Sequence, residues 1–528
     1  MHARIRAIHF TLLLFGFLAV LPASAQLVDE KGDAKKAAEY FNSFDYANAL
    51  REYILLADAN PESVQYNYMV GVCYVKSGSD DTKAIPYLEK VVETGKFDND
   101  AHYYLGKAYH HNLELEKAIK MLQKYSEEGY GKAAIEQEVL KDIEYCENAK
   151  EITKFPLNVR FENLGSEVNS IYPDYFPFIP VDESFLVYNT RRDDGSEAEY
   201  QGGGYTSNIY ISQVENGEFT TGVPLGGHIN SPGGSEQVVG LSGDGKTMMM
   251  YFDSYGIAGN LLTTQRVGNT WDRPEILPPN INAKKARQLS GCIAFGNSAI
   301  IFASDRKGGY GGTDLWISKK LPTGEWGPAQ NLGSGINTAA DEDFPNISSD
   351  GKTLYFSSKG HTSIGGFDIF KAKLNPDSNK FMNPRNMGYP LNTTYDDMNY
   401  RASESGRYGY IASKRPEGYG DFDIYRVTFN DIESELTAIR GLVTSTDSTK
   451  GMDEIFITVT DNATNDVYGT YIPNSLTNRF IIILPPGEFN IFVEGVGHDP
   501  VSQDVTILGK SSFQAEIKKN FVLQSNNY

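Results

Sequence analysis

The sequence predicts a multidomain chain: a short α-helical repeat array, then a ring of small four-stranded β-sheets, then a compact two-sheet β-domain. Three observations predict it. Aromatic and small residues recur every 34 or 35 positions between Asp29 and Lys150. A unit of turn, strand, glycine-rich loop and strand, closed by an Asn, recurs every 52 to 55 positions between residues 155 and 430. From Thr437 to Leu523, apolar and polar residues alternate with period two. Fixed-period self-similarity decides architecture before any single motif does. At 528 residues the chain is also too long for one core.

The opening 25 residues read as a leader. Arg4 and Arg6 supply the positive start, Ile8 to Leu21 the apolar stretch, and Pro22-Ala23-Ser24-Ala25 a small-residue cleavage site before Gln26. No Cys follows that site, which argues against an acyl anchor. The apolar run is too short to stay in a bilayer. The expectation is an exported protein with no transmembrane segment after leader removal. A formal charge of −20 excludes nucleic acid as a partner, since that needs a basic face.

Residues 26–150 carry the helical repeats. Tyr40, Tyr74 and Tyr109 align, as do Ala49, Ala84 and Ala118, each Ala followed four positions on by Tyr53, Leu88 or Leu122. Gly71 and Gly106 stand three positions before a Tyr, and Pro61 follows the first helix pair. Small residues allow paired helices to approach, and large ones fill the groove between pairs. This pattern resembles the tetratricopeptide repeat, with Lys132 to Lys150 as a capping helix. The resemblance implies a concave partner-binding surface, on which Tyr74 and Tyr109 are candidate contacts. Adjacent helical residues point about 100° apart, so His110 and His111 are read as exposed or half-packed side chains, not as ligands to one ion.

Residues 155–430 hold the β units. Closing Asn residues stand at 230, 282, 337 and 392. Each unit has room for four short strands, the size of one propeller blade. Asn163-Leu164-Gly165-Ser166-Glu167-Val168-Asn169 is a spare closing element ahead of the first unit, and the last unit lacks one. A ring has no free edges only if its ends join. The strand Asn158 to Phe161 should therefore complete the last blade, predicting five blades, with six as the alternative. The run SSDGKTLYFSSKG…GGFDIF, with its Asn-Leu-Gly…Asn closings, resembles the PD40 repeat of TolB-like, WD40-like β-propellers.

Within these units the glycine loops (202–204, Gly308 to Gly312, Gly365-Gly366) lead into strands and lack the Lys-Ser/Thr of a phosphate cradle. Asp314, Asp368 and Asp423 recur after them, placed to accept loop N–H groups. Arg192, Arg306, Lys359 and Arg415 recur after the preceding strand. They are candidate partner-binding residues if they ring one mouth, and intrablade pairs otherwise. Cys73, Cys146 and Cys292 are odd in number and lack metal-ligand spacing. No metal, cofactor or catalytic residue is assigned. The sequence lacks the G-x-S-x-G, H-E-x-x-H and Walker patterns, so no enzyme is expected.

After the connector Asp431 to Leu436, residues 437–523 alternate as strands around the turn Leu484-Pro485-Pro486-Gly487. They predict a small β-sandwich that resembles the carboxypeptidase regulatory-like (transthyretin-like) domain. The order of the three modules is similar to PorE-type envelope proteins of the Bacteroidetes, which are associated with type IX secretion. The OmpA-like domain typical of those proteins is missing here, so the resemblance does not extend to direct peptidoglycan binding. It implies a periplasmic scaffold or adaptor, peripheral to the outer membrane, whose partners are envelope or secretion-complex proteins. The alternative reading is a glycan-binding or glycan-processing propeller, suggested by Tyr310, Trp316 and Tyr419 among the glycine loops.

Overall fold

In the computed structural model, the chain is described from residue 31 to residue 526. The exceptions are residues 79, 96–99, 128–132, 194, 196–204, 253–258, 349, 404–407, 416–417, 421, 431–436, 448–451, 453, 475–476 and 509–515. The expected leader (1–25), the glycine run 202–204 and the connector 431–436 lie outside the described residues.

Seven α-helices open the described chain: α1 (Ala34–Asn42), α2 (Tyr46–Ala59), α3 (Val64–Ser77), α4 (Ile85–Glu93), α5 (Asp100–His111), α6 (Leu115–Glu127) and α7 (Ala133–Ile152). Their starts follow from capping chemistry. Asp33 accepts from the N–H groups of Lys35 and Lys36, Asp45 from Asn48, and Ser63 from Tyr66. Helix α3 stops at Gly78, whose φ of 60° few other residues adopt cheaply.

The glycines at the repeat period set the helix spacing. A Cβ at Gly71 would lie 2.4 Å from Leu88 Cγ, and one at Gly106 would lie 2.8 Å from Leu122 Cγ. Ala49, Ala84 and Ala118 are wholly buried at the same seams. Gly71→Val is therefore expected to cost ~1–3 kcal/mol by overpacking, read as a lower urea midpoint of the helical signal.

Five sheets follow, here numbered as blades. Blade I contains Asp174–Phe178, Phe185–Thr190 and Asn208–Glu215; blade II contains Glu236–Leu241, Thr247–Phe252 and Leu261–Val267. Blade III contains Gln288–Ala294, Ala299–Ser304, Asp314–Lys319 and Gln330–Asn331, and blade IV contains Glu342–Ile347, Thr353–Ser358, Asp368–Asn375 and Lys380–Asn386. Blade V contains Arg401–Ala402, Tyr408–Ser413 and Asp423–Phe429, and its fourth strand is Val159–Asn163 from ahead of blade I. That strand runs antiparallel to the last, with Val159 opposite Phe429 and Asn163 opposite Tyr425.

Apolar side chains seal every junction of the ring. Phe178 and Val187 meet Val238 and Met250 between blades I and II. Met249 meets Ile300 and Phe302 between II and III, and Ile301 meets Leu354 and Phe356 between III and IV. Ile369 meets Ile411 between IV and V, and Ile424 meets Leu186 and Tyr188 between V and I. The result is a closed, five-sheet, propeller-like ring.

The C-terminal β-domain stacks two sheets. One has the order Arg479–Leu484, Thr437–Ser445, Phe521–Ser525, His498–Asp499, with Glu516–Lys518 also beside Thr437–Ser445. The other has the order Val467–Tyr471, Ile455–Asp461, Gly487–Gly495, Val501–Ile507. Inward residues such as Ile439, Ile457, Ile482, Phe489 and Phe521 form its core, as period-two burial requires.

Helix α7 joins the three parts. Tyr145 Oη donates to Lys359 O at 2.8 Å, and Asn148 Nδ2 donates to Ser363 O at 2.8 Å, both on blade IV. Ile364 of that blade is buried within the helical core. At the other end, Ile152 and Phe155 pack on Ala438, Ile481 and Ile483 of the β-domain.

The histidine expectation is corrected here. His110 is 1 % exposed, with Nε2 bonded to Ile364 O, and His111 pairs with Asp81, which Tyr395 of the propeller also contacts. Both lie in the junction between helices and ring, as sequence distance could not show. Cys73 and Cys146, on α3 and α7, are buried and unbridged.

Candidate functional site

The propeller's repeated polar residues build a lattice inside the blades. Asp314 accepts from the N–H groups of Tyr310 and Gly311, Asp368 from Ile364 and Gly365, and Asp423 from Tyr419 and Gly420, at 2.6–3.2 Å. These carboxylates hold the glycine loops, as the sequence suggested. The side chain of each closing Asn spans a strand. Asn230, Asn282, Asn337, Asn392 and Asn169 accept the N–H of Ile209, Leu261, Leu315, Ile369 and Ile424 and donate to the same residue's carbonyl.

One position further on, a Ser or Thr is capped by a buried acid. Ser170 donates to Asp174, Thr338 to Glu342 and Thr393 to Asp397. Burial pushes the Glu342 and Asp397 carboxyls up to about 7. The native ring therefore holds protons that the unfolded chain, with ordinary carboxyl values, releases between about pH 4 and pH 7. The stability these groups confer is present below that window and lost as pH rises through about 7. A thermal-melt series from pH 5 to pH 8 should fall across this range, and the fall should be smaller in Glu342→Gln.

The four repeated cations do not form a free ring at the mouth. Arg192 pairs with Asp174 at 3.1 Å and donates to Val168 O; Arg306 donates to Asn280 O and Ile281 O. Lys359 pairs with Asp341 at 3.2 Å, and Arg415 donates to Pro390 O and lies 3.3 Å over the Phe161 ring. In blade IV the carbonyl of Ile336 is taken by His361 instead. The expectation of a free ring of partner-binding cations is corrected: the three Arg side chains rivet a closing turn to the next blade, and Lys359 pairs within its own blade.

Tyr109 is likewise buried, its hydroxyl on Glu89, and Tyr74 packs part-buried beside Tyr87. Trp316, read as exposed, is 7 % exposed, whereas Tyr310 and Tyr419 are about half exposed. His361 belongs to a blade junction, not to a site.

A cleft of about 850 Å³ opens where α6 and α7 face the β-domain. Along α7, Glu144, Glu147 and Glu151 line it at helical spacing. Glu144 faces Arg440 at 3.7 Å and Arg479 at 3.4 Å. Burial raises the Glu147 and Glu151 carboxyls. Ile472, 63 % exposed, offers an apolar rim. Charges of both signs beside apolar surface suit an extended, mixed-charge peptide. Sequence reading missed this cleft because its walls, residues 113–154 and 440–520, lie far apart along the chain.

Among the described residues, no group of three His, Cys, Asp or Glu side chains could hold a metal ion. No helix among them is long and apolar enough to cross a membrane, which leaves β-barrels unaddressed.

No protein-family profile matches the chain, and no curated protein does. Solved structures similar to it include an endo-arabinase from Bacteroides thetaiotaomicron VPI-5482 (14 % identity, 50 % of this chain, 96 % of that one, TM-score 0.32). They also include an oligogalacturonate lyase in complex with manganese (12 % identity, 52 % of this chain, 97 % of that one, TM-score 0.30). The tricorn protease matches at 15 % identity, over 63 % of this chain and 27 % of its own, with a TM-score of 0.29. These proteins are named as enzymes, and the expectation that the chain is not one is not upheld; at these identities and TM-scores the likeness assigns no activity to it. The lack of linear catalytic motifs does not exclude catalysis on a propeller-like ring.

Proposed function

We propose that the chain is an adaptor of the bacterial cell envelope that presents a partner-binding cleft on a rigid three-part body. The observation that carries this reading is α7, one helix that packs on blade IV with one part of its surface and on the β-domain with another, with the cleft between the helices and the β-domain. A hinge made for independent motion would not bury His110, Asn148 and Ile364 in the junction.

The finer parts of the reading fit the same picture. The helices are taken as tetratricopeptide repeats and the C-terminal module as a transthyretin-like sandwich. Residues 1–25 are taken as a leader that directs the chain to the periplasm, beside the outer membrane. The resemblance to PorE-type proteins points to secretion-complex or outer-membrane proteins as partners. The test is crosslinking in intact cells, comparing the wild type with Ile472→Asp. Reproducible envelope proteins captured by the wild type and lost in the variant are the expected result. An unchanged or empty capture list would remove the cleft from the proposal.

A glycan-binding propeller is the second reading, favoured by the half-exposed Tyr310 and Tyr419 on equivalent loops. Oligosaccharide binding abolished by Tyr310→Ala would select it, and a glycan array without signal would end it.

A further inference from the structure

The innermost strand of blade V carries a cation unlike the four described above. Arg401 is 5 % exposed and reaches into the centre of the ring. Its Nη1 donates to Pro345 O of blade IV at 3.1 Å, and its guanidinium lies 4.0 Å over the Phe178 ring of blade I. Its Nη2 donates to Asn399 Oδ1. Phe178, Gly240, Cys292 and Asn346 stand four positions after Asp174, Glu236, Gln288 and Glu342, as Arg401 stands four after Asp397, so a single blade supplies the charge.

What Arg401 lacks is an anion. Arg192 has Asp174 and Lys359 has Asp341, but no carboxylate among the described residues pairs with Arg401. Among the described residues its Nε–H has no acceptor, and neither does Asn399 Nδ2, although Asn399 is wholly buried. The amide cannot be turned round to mend this. A guanidinium only donates, so Oδ1 must face it and the Asn399 N–H groups must point elsewhere. Two neighbouring buried donors and an uncompensated buried charge are costly unless something accepts from them.

The surroundings limit the acceptor's character. Beside the guanidinium stand Phe178 and Pro345, and the rings of Phe176 and Phe344, two and one positions earlier on their strands, meet 4.8 Å apart. Both of those residues, with Asn399, hold left-handed backbone. At Phe176 and Phe344 the inner strands of blades I and IV also break register, a bulge that re-aims the side chains after it toward the guanidinium.

We propose that Arg401 and Asn399 form an axial site for a single carboxylate, bound by Arg401 Nε–H and Asn399 Nδ2–H against an aromatic wall. The carboxylate belongs to a small organic acid or to the C-terminus of a peptide entering the ring. This goes beyond the adaptor reading and stands apart from the interdomain cleft.

The test is calorimetric titration of the full chain at fixed ionic strength with acetate, benzoate, and a short peptide in free-acid and amide forms. Binding of at least one free carboxylate, with none by the amide, is expected. In Arg401→Gln and in Asn399→Gly the affinity should drop about tenfold or more, the loss of a charge-assisted contact. Asn399→Gly keeps the positive φ and the Arg401 contacts to Pro345 O and the Phe178 ring, so it answers even if Arg401→Gln does not fold. Binding by small acids identifies a free metabolite as the source, and binding by the peptide alone identifies a protein terminus. Absence of binding by all carboxylates, equal binding by the amide, or undiminished affinity in both variants would overturn the site.

Discussion

Asp368→Ala is expected to destabilise blade IV by ~3–5 kcal/mol, because two buried backbone donors lose their acceptor at once and a side-chain amide loses one of its two. Those donors are the N–H groups of Ile364 and Gly365 and the side chain of Asn386, which approaches at 2.7 Å. Asp368 itself is wholly buried, and burial holds its carboxyl well above the ordinary range. The damage should not stay local. Ile364, held by this carboxylate, sits in the helical core, and its carbonyl bonds His110. Hydrogen exchange should therefore speed up both in Asp368–Asn375 and in α5 and α7. Acceleration in the blade alone would show that the helices hold their place without it.

Arg160→Pro is expected to open the ring. Leu164 donates to Ile424 O and Asn430 to Asn158 O, so the even-numbered residues of the closing strand carry its hydrogen bonds. The Arg160 side chain is largely exposed, which leaves the backbone as the main casualty. A Pro there removes a ladder donor at a cost of ~3 kcal/mol, and an unpaired blade V edge becomes free to join another chain. Light scattering should detect oligomers in Arg160→Pro, while Arg160→Ala should stay within about 0.5 kcal/mol of the wild type. A monomeric proline variant of unchanged stability would show that the closing strand is dispensable.

How much of this was legible can be judged from single residues. The closing Asn and the loop-holding Asp were legible because they repeat, and repetition shows which positions the backbone needs. The same holds for Gly71 and Gly106, whose period announced a close helix seam. The strand Val159–Asn163 was legible as the one unit too many at one end.

The repeated cations were seen, but their partners were not. Arg306 bonds a carbonyl 25 positions back in a neighbouring turn, and no pattern of side chains marks a backbone acceptor. His110 was misjudged for a related reason: its neighbour in space, Ile364, lies 254 positions away. Asn399 and Arg401 escaped because they break the repeat. Other blades place Phe178 or Cys292 there, and reading by similarity discards what occurs once. Trp316 was misread because glycines around it look like an exposed loop, while its ring turns into the seam between blades II and III.

The closing strand also sets a schedule. Val159 is made long before Phe429, its partner across the sheet. At ribosomal speeds of about 5–20 residues per second, the wait is on the order of 10–50 s. Throughout that interval a finished strand has no mate, and blades I to IV can assemble while the circle stays incomplete. Few contacts span so much chain, so closing the ring is a slow, long-range encounter. Until it happens, a nascent molecule is open to chaperones, to proteases and to a second copy of itself.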